Sequence, residues 1–397
     1  MARQLKNFLD AYLKYTFDSE PPQIYHIWSC LSMVAGALER KCYIKWGRQT
    51  LYSNLFVILV GPSGRARKGT AIAFTRPIME KAKVKVIEGA ITQQALIRRM
   101  SNAVQNYNDK TTGRVKFQCA VTFLSEELSV FMGQRDIALL AALCNWYDCP
   151  DEWKYDTKNM GTDRIQGVFF NLLGGTAPEW LPSMLPIEAV GGGFTSRVLW
   201  IVAEDKRKTV ITPSYDKELE LLLVHDLQEI RLMSGQMIFD DEAHNAYAAW
   251  YTKEDKEISK GNPPIQDPKF AGYCERRAST IKKLSMLVCA MDGNKYNITL
   301  KHFNKALKLL IQAEKRMAKA FSGLGQSRYN QATELIMSFI IKRKIVTRSQ
   351  ILRFLYRDID DYTLEIVART LERMHVIKVM VNEPRAGEIT YRLVEKT

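Results

Sequence analysis

The stretch that most constrains this chain runs from Leu55 to Thr70. An apolar, β-branched run, Leu55-Phe56-Val57-Ile58-Leu59-Val60, ends in a glycine turn. The turn reads Gly61-Pro62-Ser63-Gly64-Arg65-Ala66-Arg67-Lys68-Gly69-Thr70, and an apolar-periodic segment follows it. That order predicts strand, phosphate loop, helix. In such a loop backbone N–H groups cradle phosphates, the helix start adds the positive end of its dipole, and a lysine neutralises charge. The usual loop holds five residues between its first glycine and its lysine. Gly61 to Lys68 encloses six. Two alignments are open. Lys68 with Thr70 can serve a loop one residue longer, which is the preferred reading. Alternatively Arg67 takes the lysine position, with Ala66 replacing the second glycine and no hydroxyl behind it. The structural alternative to both is a plain glycine turn on a buried strand.

Three later segments supply what a phosphate loop needs. Phe117 to Leu124 is an apolar strand that ends on Ser125-Glu126-Glu127-Leu128. Carboxylates at the C-terminal tip of such a strand can hold Mg²⁺ and orient water, Glu126 and Glu127 here, although they would also suit the first turn of a following helix. Ile165 to Thr176 is a third buried strand, and its Asn171 is a candidate γ-phosphate sensor, a neutral donor near a strand end. Gly191-Gly192-Gly193-Phe194-Thr195-Ser196-Arg197 then leads into the strand Val198 to Val202. A glycine run that presents one arginine suits an arginine finger acting on a neighbouring subunit, or a surface arginine in a loose loop.

The rest of the chain reads as attachments. Residues 2–39 are helical by their apolar spacing, with Pro21-Pro22 between two helices. Ala71 to Lys83 should be a helix with Pro77 inside it, and Asn106 to Gly113 a polar loop. From Asp216 to Phe321 the pattern is mostly helical, like the lid of an AAA+ ATPase. There Arg276 or Arg277 could reach the nucleotide as a second sensor, or simply form a solvated basic face. Gly323-Leu324-Gly325 is the expected linker. Beyond it, three helices and a hairpin around Pro384 to Gly387 predict a winged helix, with Arg369 and Arg373 on its third helix and Arg385 in the hairpin turn. The domains expected are therefore a helical N-terminal segment at 1–46, an α/β P-loop core at 47–212, a helical lid at 213–322 and a winged helix at 323–397.

Charge narrows the partner. The net charge of +14 favours a polyanion, nucleic acid ahead of a membrane surface. No apolar run reaches membrane-spanning length and the N-terminus lacks a signal-peptide core, so an intracellular, cytoplasmic protein is expected. Seven cysteines, mostly within apolar segments, point to reduced core thiols rather than disulfides. Cys144 and Cys149 lack a second ligand pair for a metal.

With these motifs in place, the chain resembles the helicase-type P-loop ATPases of phages and mobile elements, the primase/helicase family. These in turn resemble the minichromosome-maintenance and superfamily 3 branch of AAA+ motors. The resemblance covers roughly residues 20–300 and rests on "NLFVILVGPSGRARKGTA", "FLSEEL", "NLLGGTAPEWL" and "GGGFTSRVLWIVAE". It implies ATP and Mg²⁺ as ligands, with Lys68 and Thr70 on phosphate and Mg²⁺, Glu126 and Glu127 at the acidic strand tip, Asn171 as first sensor and Arg197 as finger. The acidic tip departs from the family in having no aspartate. The implied activity is an ATP-dependent DNA helicase or translocase, a homo-oligomeric ring, in the form of a hexamer, without a primase domain of its own and with a primase or polymerase as partner. In a phage it would work in the host cytoplasm. Loops facing the channel would grip DNA, with Lys110, Arg114 and Lys116 as candidates. Two rivals are an ATP-switched origin-binding or helicase-recruiting protein, and a DNA-binding module whose loop never turns ATP over.

Overall fold

The apolar run before the glycine turn forms the middle of a sheet. The structure is a computed structural model and describes residues 2–133, 136–157, 161–186, 189–321, 329–381 and 389–394. Phe56–Val60 (β1) is buried along its whole length. Four further strands run parallel with it: Val86–Glu88 (β2), Val115–Ser125 (β3), Val168–Thr176 (β4) and Val198–Val202 (β5). Their order across the sheet is β5-β1-β4-β3-β2. This is an α/β protein with a central parallel five-strand sheet, compatible with a Rossmann-like or P-loop core. A sixth strand, Val104–Asn108, pairs antiparallel with the first half of β3. The sequence reading had a polar loop over part of it; its alternating polar residues belong to a half-exposed edge strand.

Parallel strands need cover on both faces. Here helices supply it, packed on the strands or on other helices: Phe8–Tyr15 (α1), Gln23–Leu38 (α2), Lys68–Ala73 (α3), Ile137–Tyr147 (α4), Lys217–Arg231 (α5), Asp241–Ser259 (α6), Ala271–Met291 (α7) and Leu300–Met317 (α8). Neighbouring residues of β4 mark the two faces. Asn171 reaches Ser32 of α2, while the Phe170 ring lies 5.4 Å from the Trp146 ring of α4. Helix α2 can lie so close because of Gly36. A Cβ there would sit 2.3 Å from the Thr122 hydroxyl on β3. Pro77 does not sit inside one long helix. The chain breaks after α3, and Pro77 occupies the first turn of a second helix, Arg76–Lys81, where no N–H is required of it. A hairpin, Glu152–Thr157 with Gly161–Gln166, precedes β4.

The chain divides into two compact units, Met1–Gly323 and Leu324–Thr397. The expected linker, Gly323 to Gly325, lies outside the described residues. The N-terminal helices, sheet and later helices all belong to the first unit. The second unit holds Asn330–Arg343 (α9), Ile345–Thr347 (β6), Arg348–Leu355 (α10), Asp361–Arg373 (α11), Ile377–Val381 (β7) and Ile389–Leu393 (β8). Its strands form an antiparallel sheet in the order β6-β8-β7. Ile336, Ile340, Ile351, Leu364 and Val367 from the three helices close on Val346, Ile377 and Tyr391 from the sheet. Thr347 and Gln350 make a capping box at the start of α10, and Asp360 caps α11. Among the described residues no helix is long and apolar enough to cross a membrane, and the seven cysteines are free thiols.

His26 on α2 ties this layer to the segment after the glycine turn. It is buried, contacts the Ser19 hydroxyl at 2.9 Å, and meets the Phe74 ring edge-on at 5.6 Å. Burial, with the Arg207 charge adding to it, pushes the imidazole down to about 3. An unfolded histidine titrates near 6.5. The unfolded chain therefore takes up the proton first, and stability falls as pH drops through 6.5 towards 3. From pH 7.5 to pH 5 this group alone should remove about 2 kcal/mol. The variant His26→Gln should lose that part of the pH dependence. Urea midpoints of both proteins at the two pH values check it.

Candidate functional site

The glycine turn leaves β1 at the C-terminal end of the sheet, where ligands of open parallel sheets bind. Gly61 is required there by space. A Cβ would lie 2.3 Å from the Ala203 carbonyl, 2.6 Å from the Tyr25 phenol oxygen and 2.8 Å from Ala66 Cβ. The Gly61 N–H donates to the Thr176 carbonyl at the tip of β4. The Tyr25 hydroxyl donates to the Val60 carbonyl at 2.7 Å, and the Ala203 N–H donates to that phenol oxygen at 3.2 Å. Helix α2 thus holds the ends of β1 and β5 together directly under the turn.

The two alignments of the turn are distinguished by where the cations go. Lys68 opens α3, is 7% exposed, and folds back over the turn. Its amine donates to the carbonyls of Gly61 at 2.6 Å and Pro62 at 3.2 Å. Burial lowers its pKa, while the Glu127 and Glu179 charges work against that shift. Arg67 sits in the left-handed region, at φ 54°, and turns away to Glu20, its Nε 2.7 Å from the carboxylate. Arg65 pairs with Asp205 on the surface. The amine over the loop therefore belongs to Lys68. Helix α3 has only six residues, so the charge of this site rests on the lysine more than on a helix dipole.

The carboxylates gather on the same rim. Glu126 packs against Gly69, where a Cβ would come within 2.9 Å of its Oε2, and it also accepts from Arg76 at 2.8 Å. Glu127 accepts from the Ser129 hydroxyl at 3.1 Å. Thr70, the expected Mg²⁺ hydroxyl, is exposed, and the residue that faces Glu126 is Gly69. Among the described residues no three metal-ligating side chains converge. The donor set nevertheless fits a Mg²⁺-bound phosphate chain: one amine, carboxylates beside it, and a turn whose glycines leave no Cβ in the way. Glu179, just past the tip of β4, belongs to this rim and was missed in the sequence. Its only signal there is its place three residues after Thr176.

Other expected site residues lie elsewhere. Asn171 is fully buried in the interior of β4, one residue before the partner of Phe56 at the start of β1. It accepts from the Leu55 N–H and donates to Ser32. It is a structural amide at the wrong end of the sheet for a phosphate sensor; Thr176 is the polar residue at the tip. Arg277 is buried in ion pairs with Glu314 and Glu254 and cannot reach a nucleotide. Arg197 precedes β5, also at the sheet's N-terminal end. It donates to Asp148 at 2.7 Å and to the Gly193 carbonyl at 2.8 Å. Arg276 approaches the same Asp148, at 3.9 Å. Arg276, Tyr147 and Asp148 line a cavity of about 500 Å³, with Arg40, Arg48 and Lys283 also on its wall, and Arg197 is not part of that lining. This cavity lies at the opposite end of the sheet from the glycine turn. Lys110 and Arg114 are exposed on the turn after Val104–Asn108, whereas Lys116 is paired with Asp109 at 2.5 Å. Arg369 and Arg373 are exposed on α11, Arg369 beside Glu365. Arg385 lies outside the described residues.

Compared with known proteins, the chain matches no protein-family model and no curated relative. The arrangement of the turn makes its own prediction. A lysine that hydrogen-bonds an anion supplies a charge-assisted contact, worth more than tenfold in affinity. Lys68→Ala should weaken a fluorescent ATP analogue with Mg²⁺ by at least about tenfold, and Arg67→Ala by no more than about twofold. Equilibrium titration of the two variants checks both.

Proposed function

We propose that this chain is an ATP-dependent DNA helicase or translocase working as a ring, with an AAA+-like P-loop core, a helical lid and a C-terminal winged helix. The observation that carries the reading is the polarity of the sheet. Lys68, Glu126 and Glu127 sit beyond its C-terminal end, and Arg197 and Arg276 before its N-terminal end. Strand β1 alone separates the two ends by on the order of 15 Å. Arg197 therefore cannot serve the loop of its own subunit, but a neighbour's can. Two different faces meeting head to tail generate a ring when the rotation closes. A hexamer is the number the resemblance implies.

In this reading the Lys68 amine exchanges the Gly61 and Pro62 carbonyls for phosphate oxygens. Bound Mg²⁺ would neutralise charge on the phosphates, with Glu126 on its side of the rim. Glu127 accepts the proton of the attacking water, and Thr176 takes the sensor position first given to Asn171. Arg197 leaves Asp148 for the transferred charge on the next subunit, and Arg276 is carried on the same face. The exposed Lys110 and Arg114 and the arginines Arg369 and Arg373 are the DNA contacts, and a primase or polymerase is the partner, in the cytoplasm of the host cell.

One observation favours a second reading. Gly69 faces Glu126 where a hydroxyl would hold Mg²⁺, which suits slow turnover and an ATP-switched origin-binding or helicase-recruiting protein. ATPase assays with and without single-stranded DNA separate the two. A motor shows DNA-stimulated turnover that Lys68→Ala abolishes. Nucleotide binding without strand displacement supports the switch. Mixing the inactive variants Lys68→Ala and Arg197→Ala tests the shared site. In a random equal mixture about a quarter of the interfaces are complete, so turnover should return to roughly that level. No recovery on mixing would sink the trans arginine.

A further inference from the structure

The second unit carries an aromatic and arginine surface that none of the expected DNA contacts uses. At the end of α10, Phe354 is 65% exposed and Tyr356 67% exposed. The Phe354 ring is not loose. It lies 4.8 Å from the Phe339 ring of α9, and the Arg343 guanidinium stands 4.1 Å above Phe339 and 5.6 Å from Phe354. Beside it the Arg357 guanidinium donates to the Tyr356 hydroxyl at 2.9 Å and lies 5.5 Å from that ring. Helical spacing explains the layout. Ile351 and Leu355 are buried and face the core, so Arg353 and Arg357 take the outer side, with Phe354 on one flank and Tyr356 on the other. A helix with its side chains is about 10–12 Å across. The two rings are therefore held apart by a strip that carries two guanidiniums.

We propose that this surface binds single-stranded nucleic acid, with bases stacked on Phe354 and Tyr356 and the intervening backbone phosphates on Arg353 and Arg357. Exposed aromatic rings beside cations are how single strands are held without sequence preference. A duplex hides its base faces and cannot use the rings. Charge supports a polyanion over a protein partner. Arg343 and Arg357 meet aromatic groups rather than carboxylates, Arg353 is exposed on the same face, and the whole chain carries +14. The nearest acid, Asp358, is exposed at the end of the strip. The inference rests on the nucleic-acid reading of the chain but not on ATP hydrolysis.

The test uses the full chain and a fluorescein-labelled dT oligonucleotide, followed by anisotropy at fixed salt, with a duplex of equal length in parallel. Removing one ring should weaken dT binding about tenfold, and Phe354→Ala with Tyr356→Ala by more, while duplex binding changes little. Because Phe354 also packs against Phe339, with the two rings tilted by 40°, Phe354→Trp guards against a folding defect. It should bind dT as the wild type does, and the added tryptophan fluorescence should be quenched on saturation. Unchanged dT affinity in the double variant overturns the proposal and leaves the patch to a protein partner. Equal losses for strand and duplex also overturn it, since rings would then not be read. The same variants assayed for ATPase keep the two ideas apart: ring-dependent dT binding without turnover sinks the motor and leaves the stacking site standing.

Discussion

The site depends on one phenol. Tyr25 reaches from α2 to the point where β1 and β5 end, donating to the Val60 carbonyl and accepting from the Ala203 N–H. The Ala203 N–H also donates directly to the Val60 carbonyl at 3.0 Å, so the phenol reinforces a contact that the two strand ends already make. A side-chain hydroxyl is the group that can accept and donate there at once. The same oxygen sets the space beside Gly61, so no other residue fits at the head of the turn. The path of the loop, and with it the return of the Lys68 amine over the Gly61 carbonyl, follows from that contact.

A second constraint is electrostatic. The molecule separates its ionic groups along the strand direction. One end of the sheet gathers Lys68 with Glu126, Glu127 and Glu179, and the other gathers Arg197 and Arg276 on Asp148. Within the chain both sets are satisfied locally, by loop carbonyls at one end and by a carboxylate at the other. Neither set is spent on the hydrophobic core, which lies between them. Glu20 plays a related part at the edge of the turn. The Lys206 ammonium, the Val210 N–H and the Arg67 guanidinium hold its carboxyl at about 2, so it stays charged and keeps Arg67 turned outward.

Much of the fold was legible because apolar runs and turn residues are local signals. β1, β3, β4, β5 and the helices from Asp241 to Met317 all stand where periodicity puts them. The failures share a cause, which is that partners distant in sequence decided them. Asn171 reads as polar at a strand end because Gly174-Gly175 looks like a loop. The strand in fact continues through both glycines, and Gly175 is there because a Cβ would come within 2.8 Å of the Glu126 carbonyl. Arg277 reads as a free basic group, but its two carboxylates, Glu254 and Glu314, come from different helices. Whether Arg67 or Lys68 covers the loop was open in the sequence, and a single acid, Glu20, settles the direction of Arg67 from outside the motif. Gly69 opposite Glu126 could have been read from spacing alone, had the longer loop been followed through to the residue it places after the lysine.

The bond from Tyr25 also bears on how the protein can be divided. Hydropathy and motif order suggest a boundary near residue 46, between a helical preface and a nucleotide core. That boundary separates the phenol from the two strand ends it joins, and Gly36 from the sheet it touches. A fragment starting at the core would keep every residue of the glycine turn and lose the clamp beneath it. For recombination, circular permutation or fragment expression, the smallest inheritable piece of the first unit therefore begins ahead of α1, and its first forty residues travel with the loop they never contact in sequence.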